Sequence, residues 1–315
     1  MSADLYPKAE AEWMTDSMNS LVSVVIPTYN HARFLGRALQ SVLDQTYTNW
    51  EVTVIDNHSS DNTDEVMTSF TDSRITYLKI HNNGVIAASR NAGIRVAKGD
   101  WIAFLDSDDF WYPEKLAFCM KKIESSYDLV CHGEYWVKVK NGSRQLRKVI
   151  YGPESRATFE KLLYEGNCIS TSAVVVRRQS LLNVSGFNEN KQMVTAEDYH
   201  LWLNLAKSEV RMGFLDEILG EYTIHAGNAS KEALKNMCAI RYVFEEIYGK
   251  LNKHTFFMRV IACRRRAIID YGGARVLQAN QEHLKAIPWF LKSIVRWPFN
   301  IKFYAALVLN ILGSN

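Results

Sequence analysis

The 315-residue chain is predicted to adopt an α/β fold, in which helices flank a mainly parallel sheet and a helical extension follows at the C-terminus. Two observations predict this fold. Apolar strands alternate with amphipathic helices over the first 127 residues, and residues 231–315 have a helical pattern with a basic charge balance. The composition is 47% hydrophobic and 23% charged, which is typical of a packed globular protein and excludes a disordered chain.

The first part of the chain repeats a strand–helix unit four times. Residues 22–26 form an apolar, β-branched run, and an amphipathic helix is predicted directly after it. In the last unit, Pro113 suits the first turn of a helix. Strands that are apolar on both faces indicate a parallel sheet covered by helices on each side. The predicted strands are 22–26, 51–55, 75–80 and 101–105, and the predicted helices are 32–43, 61–70, 85–97 and one from residue 113.

After Asp128 short strands replace this alternation, and Asn141-Gly142 is typical of a tight hairpin turn between two of them. The predicted strands are 129–131, 135–139, 146–150 and 173–177, and the predicted helices are 158–164, 197–206 and several within 231–310. We therefore predict a mobile leader at residues 1–20, a main domain at residues 21–230 whose halves meet near residue 127, and a helical basic region at residues 231–315.

The net charge of +3 is unevenly distributed. Residues 231–315 carry 14 Lys and Arg against 5 Asp and Glu, a balance of +9, whereas residues 1–230 carry 23 against 29, a balance of −6. The basic balance predicts contact with an anionic partner such as phospholipid or a lipid diphosphate, and the alternative is a solvated basic face. Residues 260–312 mix basic and aromatic side chains. This suits a helix at a membrane surface, or a subdomain that packs its aromatic rings into its own core.

The cysteine pattern and the absence of a signal sequence predict a cytoplasmic protein. The number of cysteines is odd and their spacing is wide, which favours reduced thiols over disulfides or a metal finger. Neither a secretory signal nor an uncharged run as long as a membrane span is visible, so any membrane contact is predicted to be peripheral, on the inner face. The five cysteines are Cys119, Cys131, Cys168, Cys238 and Cys263.

Polar and acidic side chains follow each of the first four predicted strands. In an open parallel sheet, ligands bind beyond the carboxyl ends of the strands. The sequence therefore predicts that the active site lies at this edge of the sheet. The strand-end segments are 27–30, 56–57, 81–84 and 106–109.

Asp106 and Asp108 directly follow a buried strand, and with Asp109 they place three carboxylates within four residues. Such crowding is costly unless a cation neutralises it, and oxygen ligands favour Mg²⁺ or Mn²⁺ with substrate phosphates completing the shell. The alternative is a group of acids at the start of a helix, and we assign Asp109 to that role.

Other charged residues each have two interpretations. Asp56 would accept hydrogen bonds from a nucleobase or ribose, or form an Asx-turn, while Asp61 is predicted to cap a helix. Arg90 would contact phosphate, since the chain has no GxGxxG or P-loop motif, or would form a surface salt bridge. Glu197-Asp198 opens an apolar helix and would supply a catalytic base, although acids are common at helix starts.

Five motifs in order make the chain resemble the family-2 glycosyltransferases over about residues 21–228. They are Val-Val-Ile-Pro-Thr-Tyr-Asn30, Val-Ile-Asp-Asn-His-Ser-Ser-Asp-Asn-Thr63, Asn-Asn-Gly84 with Ser-Arg-Asn-Ala-Gly93, Phe-Leu-Asp-Ser-Asp-Asp109, and Glu197-Asp198 with Trp202. The resemblance implies a GT-A fold with a nucleotide-binding half at about residues 21–127 and an acceptor half at about 128–230. It also implies inverting transfer from a nucleotide-diphosphate sugar, most commonly a UDP-sugar.

The resemblance also implies a role for each matching residue. Asp198 would be the general base, supported by Glu197, and Asp106 would be shared between ribose and metal. His225, in Tyr222-Thr-Ile-His225, would approach the metal, although Thr223 stands where similar proteins have Arg. The donor-binding set is Pro27, Thr28, Tyr29, Asp56, Asn83, Gly84, Arg90, Asp106 and Ser107, and the metal set for Mn²⁺ or Mg²⁺ is Asp106, Asp108 and His225.

The implied partners are a nucleotide-sugar donor and a glycan or lipid-linked saccharide acceptor, while no motif indicates nucleic-acid binding. Two other functions are considered. A nucleotidyltransferase that makes sugar nucleotides would have a Gly-rich basic loop near the first strand, and 27–30 is not such a loop. The loss of Asp108 or Asp198 would favour a non-catalytic carbohydrate- or lipid-binding module on the same fold, and both residues are present.

Overall fold

The computed structural model describes residues 20–140, 143–225 and 233–313. The predicted leader and the predicted Asn141-Gly142 turn lie outside these residues, apart from Ser20. The strands in the described part of the chain are β1 Val22–Thr28, β2 Trp50–Asp56, β3 Ile75–Lys79, β4 Trp101–Phe104, β5 Phe110–Trp111, β6 Leu129–Lys140, β7 Ser143–Val149, β8 Val174–Arg177 and β9 Met212–Ile224.

Helices alternate with the first four strands and then fill the C-terminal region. The helices within the described ranges are α1 Ala32–Leu43, α2 Thr63–Thr68, α3 Ile86–Val96, α4 Lys115–Ile123, α5 Phe159–Glu165, α6 Arg178–Asn183, α7 Glu197–Lys207, α8 Ala233–Gly249, α9 Phe256–Ala279, α10 His283–Arg296 and α11 Ile301–Ile311.

The strands form one mixed sheet in the order β3-β2-β1-β4-β8-β6-β9-β5, with β7 paired to β6. The four strands of the first half are parallel to one another, as the sequence predicts. In the second half β6 and β9 are parallel, whereas β8, β7 and β5 pair in the antiparallel direction. The predicted α/β class is confirmed, and its parallel half places four strand ends at one edge of the sheet.

Helices cover both faces of the sheet because successive side chains of each strand point to opposite sides. In β1, Val24 and Ile26 enter a core beneath α1 and α4, and Val25 enters a second core beneath α3, α5 and α7. The second core also contains side chains of α8 and α9, so these two C-terminal helices pack directly against the main body. Helices α10 and α11 pack around Phe290 and Phe303 in a smaller cluster next to α9.

Three strands differ from the sequence prediction, and the two-residue strand β5 is one that was not predicted. Residues 129–131 and 135–139 belong to one long strand, β6. The polar residues between them are buried, and the pairing of β6 with β9 continues through them with a shift of register at His132–Glu134. Strand β9 was not predicted, since its 13 residues contain acids and glycines without a clear alternation. This strand carries the chain from the sheet interior to His225 at the predicted active-site edge.

Among the described helices, none combines the length and the apolar character that crossing a membrane requires.

Helix α3 lies so close to β1 that Gly93 has no room for a side chain. A Cβ atom built there would lie 2.4 Å from Cγ1 and 2.8 Å from Cγ2 of Val25. We expect Gly93→Ala to lower the free energy of unfolding by about 1–3 kcal/mol, because a packed core resists an added methyl group. Gly272→Ala in α9 is the matched control, since nothing lies within 4 Å of its Cβ position, and it should be neutral or slightly stabilising. Urea unfolding of both variants checks this, and equal midpoints would contradict the close packing.

Candidate active site

The loops after three adjacent strands meet at one edge of the sheet. Strand β1 lies between β2 and β4, and both pairings are parallel. Pro27 and Thr28 end β1 beside Asp56, the register partner of Thr28, and the backbone N–H of Asn57 donates to the Thr28 carbonyl at 3.1 Å. The predicted strand-end residues of β1 and β2 are therefore neighbours in the structure.

Asp56 is fully buried, and residues of its own half of the domain occupy its carboxylate. The carboxylate accepts hydrogen bonds from the backbone N–H of Ser59 at 3.1 Å, from Ser59 Oγ at 2.5 Å and from the Tyr77 hydroxyl at 3.0 Å. This arrangement corresponds to the turn interpretation of Asp56, and its contact with a nucleoside stays a prediction. Tyr29 is 55% exposed, so its ring is accessible to a ligand.

The loop after β3 turns at Asn83 and Gly84, which both have positive φ angles and are both exposed. The preceding residue, Asn82, is buried. Its side-chain oxygen accepts from the Gly84 N–H, and its side-chain nitrogen donates to Ser89 Oγ, each at 2.9 Å. Asn82 therefore fixes this turn against α3 and leaves Asn83 and Gly84 at the surface of the site.

Arg90 is buried in α3 and joins the two acidic motifs. Its Nη2 donates to Asp106 Oδ1 and its Nη1 to Glu197 Oε1, both at 2.7 Å. Burial alone would lower the pKa of Arg90, but the carboxylates of Asp106 and Glu197 raise it above its ordinary value. The structure thus contains the predicted salt bridge, although in the interior and not at the surface. Both terminal nitrogens are engaged in this way, and the predicted phosphate contact stays a prediction.

A second cluster combines a carboxylate with two imidazoles. His225 Nε2 lies 2.7 Å from Asp108 Oδ2, and His31 Nδ1 lies 2.9 Å from Ser107 Oγ. One ligand atom each from His31, Asp108 and His225 can be chosen so that all three lie within 4.8 Å of one another. The Phe34 ring packs against His225 at 4.7 Å and helps to hold it in place.

Asp106 lies outside this cluster, although the sequence assigned it to both ribose and metal. Its carboxylate is held by Arg90, and its side chain is 27% exposed. Its contact with ribose and its contact with metal both stay predictions.

The interpretation of Asp109 as a helix-start acid is wrong. Helix α4 begins six residues later at Lys115, and Asp109 is buried. Its carboxylate accepts hydrogen bonds from Ser172 Oγ at 2.6 Å and from the Thr223 N–H at 2.9 Å. Burial, together with the nearby carboxylates of Asp108 and Glu134, raises its pKa well above the ordinary value. Asp109 therefore connects the loop after β4 to the end of β9 at Thr223, which lies two residues before His225.

Glu197 and Asp198 form the first turn of α7, where the helix dipole favours negative charge. Glu197 Oε2 accepts from the Thr195 N–H at 2.8 Å, while its other oxygen binds Arg90. Asp198 accepts from the Tyr199 N–H at 2.7 Å and from Thr171 Oγ1 at 3.3 Å. Burial and the neighbouring Glu197 raise the pKa of Asp198 to about 7, which is suitable for a base at neutral pH.

Three residues of the site were missed by the sequence analysis. His31 directly follows the predicted loop at 27–30, and a histidine at a strand end is a signal that could have identified it. Ser172 donates to Asp109 and accepts from the Asp106 N–H, and Glu134 is a buried acid whose pKa burial raises to about 7. Neither Ser172 nor Glu134 has a sequence signal, because both reach the site through pairing of β4, β8 and β6.

Proteins of known sequence resemble this chain over most of its length. Residues 23–184 match the sequence family Glycosyl transferase family 2. The E. coli protein UDP-Glc:alpha-D-GlcNAc-diphosphoundecaprenol beta-1,3-glucosyltransferase WfgD is 34% identical over 221 residues, which cover 69% of this chain and 82% of that protein. The putative teichuronic acid biosynthesis glycosyltransferase TuaG of Bacillus subtilis is 29% identical over 248 residues, covering 77% and 92%.

Solved structures share the fold at low sequence identity. The mannosyltransferase PcManGT from Pyrobaculum calidifontis, in complex with GDP-Man and Mn²⁺, has a TM-score of 0.60 and 17% identity over 98% of this chain and 92% of its own. S. aureus TarS 1-349, in complex with UDP-GlcNAc, has a TM-score of 0.57 and 18% identity over 93% and 92%. The sequence matches and the shared fold confirm the predicted resemblance, and the chain is a glycosyltransferase that belongs to glycosyl transferase family 2.

Proposed function

We propose that this chain transfers a sugar from a UDP-sugar to a hydroxyl of a lipid-linked saccharide, with inversion at the anomeric carbon. The observation that carries the proposal is the Arg90 bridge. Because one buried guanidinium contacts both Asp106 and Glu197, the acids that follow β4 lie beside the acidic pair at the start of α7. Donor and acceptor would therefore meet between β4 and α7.

The proposed substrates are taken from the names of relatives that align with this chain over most of their own length. WfgD and WfaP of E. coli, the latter 28% identical over 230 residues, are both named for UDP-Glc as donor and a GlcNAc-diphosphoundecaprenol acceptor. A glucose unit is our first choice of sugar for this chain, and a lipid diphosphate is our choice of acceptor anchor. The enzyme would then work at a membrane surface, and its predicted cytoplasmic location stays a prediction.

Asp198 is the proposed general base. The acceptor hydroxyl proton passes to its carboxylate as the hydroxyl oxygen forms a bond to the anomeric carbon, and the bond from that carbon to the diphosphate breaks with its electron pair leaving on UDP. Glu197 is held by Arg90 and by the Thr195 N–H, so it fixes the first turn of α7 and thereby the position of Asp198.

His31, Asp108 and His225 are the proposed metal ligands. Their donor set suits a divalent cation, and two imidazole nitrogens favour Mn²⁺ over Mg²⁺, which prefers oxygen ligands. When bound, such a cation supplies positive charge beside the leaving diphosphate. Ser107 orients His31, and Phe34 packs on His225, so the chain itself positions both rings.

The function is tested by incubating the full chain with Mn²⁺, a GlcNAc-diphospholipid and separate UDP-, GDP- and TDP-sugars. We expect release of UDP and a disaccharide product from UDP-glucose. A parallel reaction with a nucleoside triphosphate and a sugar 1-phosphate should give no pyrophosphate, because residues 27–30 are not the Gly-rich basic loop that a nucleotidyltransferase would have. Product formation only in this second reaction would identify a nucleotidyltransferase instead.

Asp198→Asn should abolish transfer while donor affinity changes less than about threefold, since an amide cannot accept the proton. Because the base must be deprotonated and its pKa is raised to about 7, transfer by the native chain should rise with pH through about 7. Asp216→Asn, an exposed acid of β9, is the matched control and should keep full activity. Donor titrations measure the first effect and a pH–rate profile the second. A rate that does not change between about pH 5.5 and 8.5, a range that brackets this pKa, would contradict the role of Asp198.

Replacing any of the three proposed ligands should weaken metal-dependent donor binding. We expect His31→Ala, Asp108→Asn and His225→Ala each to lower Mn²⁺ affinity by about tenfold or more, measured by calorimetry with UDP present. His254→Ala, which lies outside the site between α8 and α9, is the control. Unchanged Mn²⁺ affinity in His31→Ala would remove His31 from the ligand set, and stronger support of transfer by Mg²⁺ than by Mn²⁺ would contradict the imidazole assignment.

A further inference from the structure

Helices α10 and α11 each expose an apolar stripe opposite their buried side. In α10 the stripe comprises Leu284, Leu291 and Val295, which are 84%, 49% and 82% exposed, whereas Phe290 on the other side is fully buried. The spacing of these residues places them on one line along the helix. Pro288 completes the same line and is also exposed.

Helix α11 has an apolar stripe with similar spacing, and the connection between the two helices is apolar and exposed as well. Ile301, Val308 and Leu312 are 81%, 55% and 70% exposed, and Phe299 in the connection is 82% exposed. We call these two stripes with Phe299 the C-terminal apolar surface. A folded chain rarely leaves so many large apolar side chains in water without a partner, so this surface indicates a binding site.

The sequence left two alternatives for this region, a helix at a membrane surface and a subdomain that packs its aromatic rings into its own core. The structure has features of both. Phe290 and Phe303 do pack into a local core, as a self-contained subdomain requires. The residues of the C-terminal apolar surface remain outside that core. The packing that would hide them is therefore absent within the described residues.

Basic side chains outnumber acidic ones around this surface. Residues 283–315 contain Lys285, Lys292, Arg296 and Lys302 and no Asp or Glu, while Lys285 pairs with Glu282 and Arg296 pairs with Asp270. Lys285 and Lys292 each follow a stripe residue by one position and are exposed, so they border the α10 stripe. Apolar side chains bordered by lysines match a bilayer interface, where apolar groups enter the acyl boundary and ammonium groups meet phosphate headgroups.

A second copy of this chain is a poorer partner for the same surface. In a twofold dimer the surface would face itself, and Lys292 and Lys302 of each copy would oppose one another without an acid between residues 283 and 315 to pair with them. An anionic lipid surface satisfies both the apolar stripes and the charge.

Helix α9 connects this surface to the proposed base. Arg265 of α9 donates to the Tyr199 hydroxyl and to the Glu165 carbonyl, each at 3.4 Å, and Tyr199 directly follows Asp198 in α7. Cys263, also in α9, donates to the Arg296 carbonyl at the end of α10. The apolar surface is therefore anchored on the helix that packs beside the acceptor half of the site.

We propose that the C-terminal apolar surface docks onto an anionic lipid bilayer, with the α10 and α11 stripes inserted at the interface and the bordering lysines on phosphate headgroups. The proposal rests on the proposed lipid-linked acceptor, because docking would present that acceptor to Asp198. It adds the surface, the residues and the chemistry of the lipid that they contact.

Co-sedimentation of the full chain with vesicles tests the proposal. We expect binding to phosphatidylglycerol–phosphatidylcholine vesicles, weaker binding at high salt, and little binding to phosphatidylcholine alone. Leu291→Glu with Val295→Glu should lower binding about tenfold or more, because both side chains are exposed and the charges oppose insertion. Leu146→Glu, 54% exposed in β7, is the matched control and should bind like the native chain. Thermal unfolding confirms that all variants are folded.

Several outcomes would overturn the proposal. Native-level vesicle binding by the double variant would do so, as would no binding of the native chain to anionic vesicles. A concentration-dependent dimer in sedimentation velocity that the double variant abolishes would assign the surface to a second copy instead. Transfer to a water-soluble acceptor should be unchanged in the double variant, while transfer to a vesicle-embedded acceptor should fall. Vesicle binding without any transfer would support the docking surface and count against the proposed glycosyl transfer.

Discussion

The buried guanidinium of Arg90 is the interaction on which the candidate site depends. A charge this deep in the protein is tolerated only when its partners compensate the lost hydration, and Asp106 and Glu197 do so from opposite halves of the domain. Loss of one partner would leave a buried charge uncompensated, at a cost of about 3–5 kcal/mol. The pairing therefore constrains the end of β4, the side of α3 and the start of α7 to one arrangement. The geometry of the candidate site and the fold are in this sense stabilised by the same contact.

A second constraint comes from crowded carboxylates that Arg90 alone does not neutralise. Burial raises the pKa of both Asp109 and Glu134, the charge of Asp106 raises both further, and that of Glu134 also raises the pKa of Asp109. A raised pKa at these two positions favours their neutral forms, which reduces the repulsion. Asp108 is different, because it faces His225 in the cluster that also includes His31. The acids thus divide into a buried pair, Asp109 and Glu134, and a partly exposed group in which Asp108 lies with two histidines. Asp109 connects the two through the N–H of Thr223, which lies two residues before His225.

The parts of the site that sequence alone predicted are those with a local cause. Strand periodicity and the polar residue that ends each strand identified the edge of the sheet, because both depend on neighbours in sequence. The partner of Arg90 at Glu197 lies 107 residues away, and only the packing of α3 against α7 selects it. Asp109 was misassigned for the same reason, since β9 was not predicted and its N–H groups were therefore unknown. The fold class follows from local pattern, whereas the pairing of charges follows from topology.

The attachment of α9 bears on how an enzyme of this kind would treat a lipid-linked acceptor. A Cβ at Gly166 would lie 2.9 Å from Arg265, so α9 sits directly on the end of α5 as well as on α7. The Tyr199 hydroxyl accepts a hydrogen bond from Arg265 and donates one to the Leu162 carbonyl. These contacts fix the direction of α9 relative to Asp198. Any surface bound by α10 and α11 would consequently have one orientation toward the base. An acceptor confined to that surface would reach the base in two dimensions, which raises its effective concentration without any additional contact to the sugar.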